Sequence, residues 1–325
     1  MQLVRAAGPL LDEILDETYP LWGDGLTRHG YGRWNVAQER TNWGTAHLQR
    51  LALVENGRLL ASAKRYNLTL HLRGRQVQAL GVGAVFTPEA LRGRGHAAAI
   101  ISALEDLARE DGAEVSVLFS EIGPKYYERA SYVQVPIATV EIDVQPDKGA
   151  PAMLVRAGEV RDAADVAAMY GQRADRFQLA LLPDEAYVRY AVAKKRIFSG
   201  LTQSGRRTVE YFVAEEGHRA VAFVLLQIAH GGRSNRETCS LEACGDRDPA
   251  GARLGAMLQA LRARAPAALP PVMRAWWPTS LRPPQLQITP RPPAGEVMMI
   301  KPLVKRVAID GLTSADVMYW HGDAF

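Results

Sequence analysis

The stretch Val82-Gly-Ala-Val-Phe-Thr-Pro-Glu-Ala-Leu-Arg-Gly-Arg-Gly-His-Ala97 offers chemistry through its main chain more than through its side chains. An apolar run ends at Phe86 and Thr87, and a glycine-bearing turn then opens a helical pattern. Successive amides at a helix start form a concave anion site, and the helix dipole adds partial positive charge. Gly93 and Gly95 let the main chain approach a ligand closely, and Ala97 keeps the first helical turn uncrowded. Arg92 and Arg94 add charge-assisted hydrogen bonds to such a ligand. The arrangement suits a pyrophosphate. It does not end in the Gly-Lys-Ser/Thr of a nucleotide P-loop. A dinucleotide fingerprint would instead follow the first strand of a parallel βαβ unit.

The elements that must position this turn can be read on either side of it. A short strand and an amphipathic helix, Pro9 to Leu21, open the chain, and an aromatic segment with Tyr19, Trp22, Tyr31, Trp34 and Trp43 reads as a core-covering loop, with a ligand-binding wall as the alternative. Three strand-like runs follow, His47 to Glu55, Leu59 to Leu70 and Gln76 to Phe86. Asn56-Gly57 and Gly74 supply hairpin turns between them, so the runs form an antiparallel meander. After the turn, Gly95 to Asp111 has helical spacing and Gly112 stops it. Glu114 to Ser120 is apolar enough for a central strand. A short helix, Pro124 to Ala130, and a strand, Tyr132 to Val144, close the first unit, and Gln145 to Pro151 has linker composition.

A similar order then begins again. Strands are expected at Met153 to Arg156, Thr208 to Ala214, Val221 to Ala229 and Thr238 to Ala243, and helices at Asp162 to Gln172, Pro183 to Lys194 and Ala252 to Arg264. The strand–turn–helix register over Leu241 to Leu261 echoes Leu80 to Leu104, which suggests a degenerate internal repeat. Pro270 to Pro302 reads as loops between short edge strands. The expected division is 1–145 and 152–325.

Composition narrows the function classes. With 325 residues, 47% hydrophobic and 23% charged, the chain has apolar surface enough for two folded domains. Its 32 arginines against 7 lysines are scattered, without a basic tail, which argues against nucleic-acid binding. No apolar run approaches the roughly 20 residues that span a bilayer. Asp12, Glu13, Asp16 and Glu17 interrupt any signal core, so no membrane association and a cytoplasmic location are expected. Cys239 and Cys244 have no histidine pair at ligand spacing, so they read as buried thiols and no metal is expected.

Taken together, Arg92-Gly-Arg-Gly-His-Ala97 resembles the acetyl-CoA signature Q/R-x-x-G-x-G/A of the Gcn5-related N-acetyltransferase (GNAT) superfamily. Tyr126-Tyr-Glu-Arg-Ala-Ser-Tyr132 is similar to that family's F-Y-x-x-x-G-F segment, with Ser131 in place of its glycine. Leu118 to Tyr127 resembles a segment of fungal-type lysine acetyltransferases, and the tandem order resembles aminoglycoside acetyltransferases of the enhanced-intracellular-survival type. The resemblance implies an α/β (α+β) fold of tandem GNAT-like domains, each a mixed, mostly antiparallel sheet flanked by helices. It also implies acetyl-CoA as co-substrate and a primary amine, of a small molecule, as acceptor, with direct transfer in a ternary complex. A CoA-binding sensor without turnover, or an acetyltransferase of protein lysines or N-termini, is the alternative.

Roles follow residue by residue from the same resemblance. The amides of Val85 and Thr87 would hold the acetyl carbonyl and pantetheine, and those from Arg92 to Ala97, with Gly93, Arg94, Gly95 and His96 between them, would cradle the pyrophosphate. His96 would stand at the site mouth as a bystander to the chemistry. Tyr127 would protonate the departing thiolate as general acid, unless it only packs on the sheet, and Tyr126 is its competitor. Glu121 is either the base for the amine or a helix-start acid favoured by the dipole. In the aminoglycoside-modifying relatives the C-terminal carboxylate joins the site. Phe325 therefore either reaches the site here or frays away from it. The second unit has Asp246, Arg247, Asp248 and Pro249 where the first has its glycine turn, and these acids would repel phosphate, so a non-catalytic repeat is expected.

Overall fold

The computed structural model describes residues 1–145, 153–202, 207–229, 238–264, 272–292 and 295–325. Strand β1 (Gln2–Arg5) leads into helix α1 (Gly8–Trp22), which turns Ile14 and Leu15 inward. The aromatic segment is helical rather than a loop: α2 (Arg28–Glu39) and α3 (Asn42–His47) each start on a threonine. Thr27 and Thr41 accept hydrogen bonds from the amides of Gly30 and Gly44, at 3.0 and 2.9 Å, and such caps are the start signal that the aromatic content masked. Strands β2 (Leu48–Glu55), β3 (Arg58–Leu72) and β4 (Arg75–Phe86) form the expected meander. Helix α4 (His96–Glu110), strand β5 (Val115–Ser120) and helix α5 (Lys125–Glu128) follow in the expected order.

The strand expected over Tyr132 to Val144 divides into β6 (Val133–Gln134) and β7 (Thr139–Val144). The proposed linker, from Pro146 onward, lies outside the described residues. Beyond it come β8 (Leu154–Ala157), α6 (Ala163–Ala174), β9 (Leu179–Leu181), α7 (Glu185–Leu201), β10 (Arg207–Glu216), β11 (Arg219–Ala229), β12 (Thr238–Asp246) and α8 (Ala252–Arg264). Four strands end the chain: β13 (Val272–Trp276), β14 (Leu286–Arg291), β15 (Val297–Pro302) and β16 (Val317–Met318).

Among the described residues these strands make two sheets. The first runs β1-β2-β3-β4-β5-β15-β6, with β9 and β16 beside β3, and the second runs β14-β7-β13-β12-β11-β10-β8. Each has an antiparallel meander, then a helix, then a parallel strand: β4–α4–β5 in the first, β12–α8–β13 in the second. Beside that parallel strand each sheet takes an antiparallel strand from the other half of the chain. Residues Val297–Pro302 pair with β5, and Thr139–Val144 pair with β13. The first unit is therefore not closed at residue 144 as the sequence pattern suggested. Alternation of Val140, Ile142 and Val144 identifies a strand but not its partner, and those three side chains are buried in the second core. The proline-rich region also differs from expectation. Strand β15 is central, with Met298, Met299 and Ile300 fully buried.

The first sheet buries apolar side chains on both faces. Leu51, Ala61, Ala63, Val82 and Leu118 meet Ile101 and Leu104 of α4 on one face. On the other, Tyr66, Val117 and Ile300 meet Tyr187 and Tyr190 of α7 and the C-terminal Tyr319.

Candidate active site

Strands β4 and β5 are paired from Ala79↔Val115 only as far as Val82↔Leu118. Beyond that point they part. Strand β4 continues to Phe86 along β3, and β5 continues to Ser120 along β15. The departing end of β4 is also bulged: Ser62 faces Phe86 while Lys64 faces Gly83, so β4 carries one extra residue there. Ala84 lies in that bulge with φ 47°, a conformation a non-glycine residue rarely adopts. A bulge takes a residue out of the ladder and re-aims its main chain, so peptide groups around Ala84 and Val85 are free to serve a ligand.

The parted strands open onto a cleft of about 700 Å³ between α4 and α5. Val85 and Thr87 line it at one end and Gly93, Gly95, His96 and Ala97 at the other. Gly95 precedes α4 with φ 84° and Gly93 has φ 77°, values that favour glycine. A Cβ built on either would meet nothing within 4 Å, so the outer face of the turn is clear for a ligand. Helix α4 has no side-chain cap and no acid in its first turn, so its leading amides remain available. The cleft thus joins free main-chain donors at the turn to a mostly apolar lining. Arg92 also lines it, with Nε 3.4 Å from the carbonyl oxygen of Thr87. Arg94 does not. It borders an adjoining hollow of about 480 Å³ with Arg58 and Asn56, on the far side of His96.

Tyr127 is buried at the cleft wall, and burial followed by the nearby charges of Tyr126 and Glu121 pushes its phenol up to about 12. It therefore keeps its proton near neutrality. Tyr126 lines the same cleft, edge-to-face with Tyr127 at 5.0 Å, so the two neighbours do not point to opposite sides. Ser131, standing where the family segment has glycine, takes φ 66°, which explains why glycine suits that position. Glu121 is exposed and does not line the cleft. Its charge nonetheless reaches the phenol of Tyr127 on the cleft wall.

Sequence reasoning missed the carboxylate that does reach the cleft. Glu105 of α4 is buried there and holds Lys301 Nζ at 2.6 Å through Oε2, while Tyr132 donates to Oε1 at 3.0 Å. The Tyr132 hydroxyl is also 2.6 Å from Ser116 Oγ. Lys301 comes from β15, so only the strand exchange reveals it. The signal that could have found Glu105 is its place four residues after Ile101, on the buried face of the helix. Phe325 does not fray. Its ring packs 4.5 Å from Tyr66 and 5.0 Å from Phe119, over Gly81 and Gly83, on the sheet face opposite α4.

Comparison with known proteins fits this geometry. A family model described as "Acetyltransferase (GNAT) domain" matches residues 13–135. Over those residues the sequence has the pattern of a GNAT acetyltransferase domain. No curated protein matches the chain in sequence. Among solved structures, a GCN5-related N-acetyltransferase from Anabaena variabilis has TM-score 0.67 at 12% identity, over 93% of this chain and 73% of that one. Eis1 from Mycobacterium abscessus has TM-score 0.57 at 12% identity, over 93% and 74%. Saccharomyces cerevisiae N-myristoyltransferase with bound myristoyl-CoA has TM-score 0.53 at 11% identity, over 92% and 82%. Likeness at such identities concerns the fold, and the fold is the GNAT one across nearly the entire chain. The GNAT domain makes this chain an acyltransferase of the kind that draws its acyl group from acyl-CoA. Among the described residues no helix is long and apolar enough to cross a membrane, and no cluster of three metal-ligating side chains occurs.

Proposed function

We propose that the chain is an acetyl-CoA-dependent N-acetyltransferase that transfers acetyl directly to the primary amine of a small molecule. The pyrophosphate of CoA rests on the amides from Arg92 to Ala97. Its pantetheine follows the free end of β4 past Val85 and Thr87. The bulged main chain at Val85 polarises the thioester carbonyl, a contribution that grows as the oxygen gains charge. The amine nitrogen attacks the carbonyl carbon, the carbon–nitrogen bond forms, and the carbon–sulfur bond breaks with its electron pair on sulfur. Tyr127 donates its proton to that sulfur. The carboxylate at the cleft, Glu105, is already held by Lys301 and Tyr132. The amine therefore enters neutral, its surplus proton leaves to solvent, and solvent returns one proton to the Tyr127 phenolate. Most of the rate gain comes from holding amine and thioester together.

The observation that carries this reading is the parting of β4 and β5 onto a cleft whose far end is an uncapped helix start behind two positive-φ glycines. Thiol release from acetyl-CoA, followed with a panel of primary amines and repeated with Tyr127→Phe, tests it. Amine-dependent release that Tyr127→Phe suppresses supports the enzyme. CoA binding without release by any amine points to a sensor.

A further inference from the structure

Beside the cleft, past His96, lies the hollow of about 480 Å³ that Arg94 borders. Leu91 and His96 line both spaces, so the two share that wall. The rest of the hollow is built from the first hairpin of the meander: Glu55 at the end of β2, Asn56 in the turn, and Arg58 and Leu60 on β3. Two arginines of the glycine turn thus part company. Arg92 lines the cleft, whereas Arg94 lies with Arg58 at the hollow.

Arg58 and Arg94 are both exposed, and among the described residues neither guanidinium has a hydrogen-bond or ion-pair partner. Other surface arginines of the chain are held by acids. Arg28, Arg253 and Arg291 have carboxylate oxygens at 2.6, 2.6 and 2.8 Å. The single acid that lines the hollow, Glu55, is 3.7 Å from the amino group of Met1. Two arginines against one acid leave the hollow positive, and it is vacant.

On the proposed reading the pyrophosphate of CoA lies on the amides from Arg92 to Ala97. The pantetheine leaves that turn toward Val85 and Thr87, at the opposite end of the cleft. The nucleotide must then leave on the other side, where the hollow adjoins His96. CoA carries one further phosphate there, a monoester on the 3′ carbon of the ribose, one sugar away from the pyrophosphate.

We propose that the hollow receives this 3′-phosphate, with Arg58 and Arg94 as its partners. The proposal rests on the acyl-CoA reading of the cleft. A phosphomonoester is close to a dianion near neutrality, and guanidinium forks match its oxygens in pairs. Both arginines are exposed, so each contact is modest and salt weakens it. The consequence is a choice between CoA and dephospho-CoA, made as the donor binds and away from the thioester.

Calorimetry on the full chain with CoA and dephospho-CoA tests this, because the two ligands differ only in that phosphate. CoA should bind about tenfold more tightly at low ionic strength. At about 1 M salt the ratio should fall below about threefold. The pyrophosphate is common to both ligands, so its own salt dependence cancels. Arg58→Ala should lower the ratio to about threefold by weakening CoA alone. Arg58→Lys should keep part of the preference, since the charge stays and the fork is lost. Arg58→Ala combined with Arg94→Ala should abolish it. Equal affinity of the wild-type protein for the two ligands overturns the proposal, and that comparison needs no variant. An Arg58→Ala loss equal for both ligands overturns it too. Inorganic phosphate that binds as tightly with CoA in place as without it, and does so only while Arg58 is present, would assign the hollow to a free anion instead. Failure of both CoA and dephospho-CoA to bind overturns the donor-site reading beneath the proposal.

Discussion

The two strand–turn–helix connections, β4–α4 and β12–α8, differ mainly in what the helix-start amides bond to. Both turns end in a glycine with positive φ, Gly95 at 84° and Gly251 at 75°. In the first, the amides are uncapped and the space beyond the glycine is clear. In the second, two carboxylates of the chain itself are in place. Asp246 accepts from the amides of Asp248 and Leu254, both at 2.8 Å, and Asp248 accepts from those of Ala250 and Ala252, at 3.0 and 3.4 Å. Arg173 donates to the carbonyl oxygens of Asp246 and Asp248. Leu281 and Pro283 cover the glycine, and a Cβ on Gly251 would meet them at 3.0 and 2.9 Å. The same local geometry thus becomes a ligand site when left open and a structural joint when filled from within. The acids at residues 246 and 248 do more than repel phosphate. They take its hydrogen bonds.

The largest effect that separates the two regions is chemical. Tyr127→Phe should lower turnover by about 10²–10⁴ with CoA affinity nearly unchanged, measured by steady-state thiol release beside calorimetry. Tyr126→Phe, whose ring also lines the cleft, should cost less, and the reverse ranking breaks the assignment of the acid. Next come the paired glycines. Gly95→Val should weaken CoA binding by more than about tenfold in protein that remains folded. Gly251→Val should leave CoA binding alone but lower unfolding free energy by on the order of 1–3 kcal/mol, seen as a shift in denaturant midpoint. Equal effects of the two on CoA would end the comparison. Asp246→Ala orphans two amides and should cost about 1–2 kcal/mol without creating a second site, so CoA titration should still give one per chain.

The smallest effect concerns the joint between the sheets. His321 sits between Glu242 of β12 and Glu296 beside β15. Burial alone would lower its pKa, but the hydrogen bonds it donates to the two carboxylates outweigh that and raise it to about 9 from 6.5. A raised value stabilises the fold fully below pH 6.5 and loses that contribution as pH rises through 9. After solvent screening, His321→Gln should cost about 0.5–1 kcal/mol at pH 6 and almost nothing above pH 9.5, as thermal unfolding at the two pH values would show. A loss independent of pH would mean that only packing against Trp276 is at stake.

The glycine turn was legible because its signal is local. Spacing of glycine, arginine and a following amphipathic run specifies the conformation, while Tyr127 was singled out only through the family resemblance and does line the cleft. Elements whose position depends on distant partners were not legible. Thr139–Val144 alternates like any half-buried strand, and nothing within those residues says which sheet they join. Prolines at 290, 292 and 293 suggested loops, yet the next residues, Val297–Pro302, form a buried strand of the first sheet between β5 and β6. Arg94 and Glu121 show a finer limit. Their place in the chain was right, but the direction of a side chain on a turn or at a strand end depends on packing that spacing does not encode.

The reciprocal exchange of β7 and β15 has a consequence for how the protein is made. When a ribosome has released residues 1–145, the last long strand of the nascent sheet, β5, has an open edge along Val115–Ser120, and the strand that belongs there is more than 150 residues away. Until residues 297–302 emerge, that edge can recruit any passing β-segment, including the same stretch of a second nascent chain. The acyltransferase half is therefore neither finished nor safe from aggregation before synthesis ends. Expressing residues 1–145 alone would remove Lys301 from the cleft and leave the same edge bare permanently. Each sheet is complete only when strands from both halves of the chain have met.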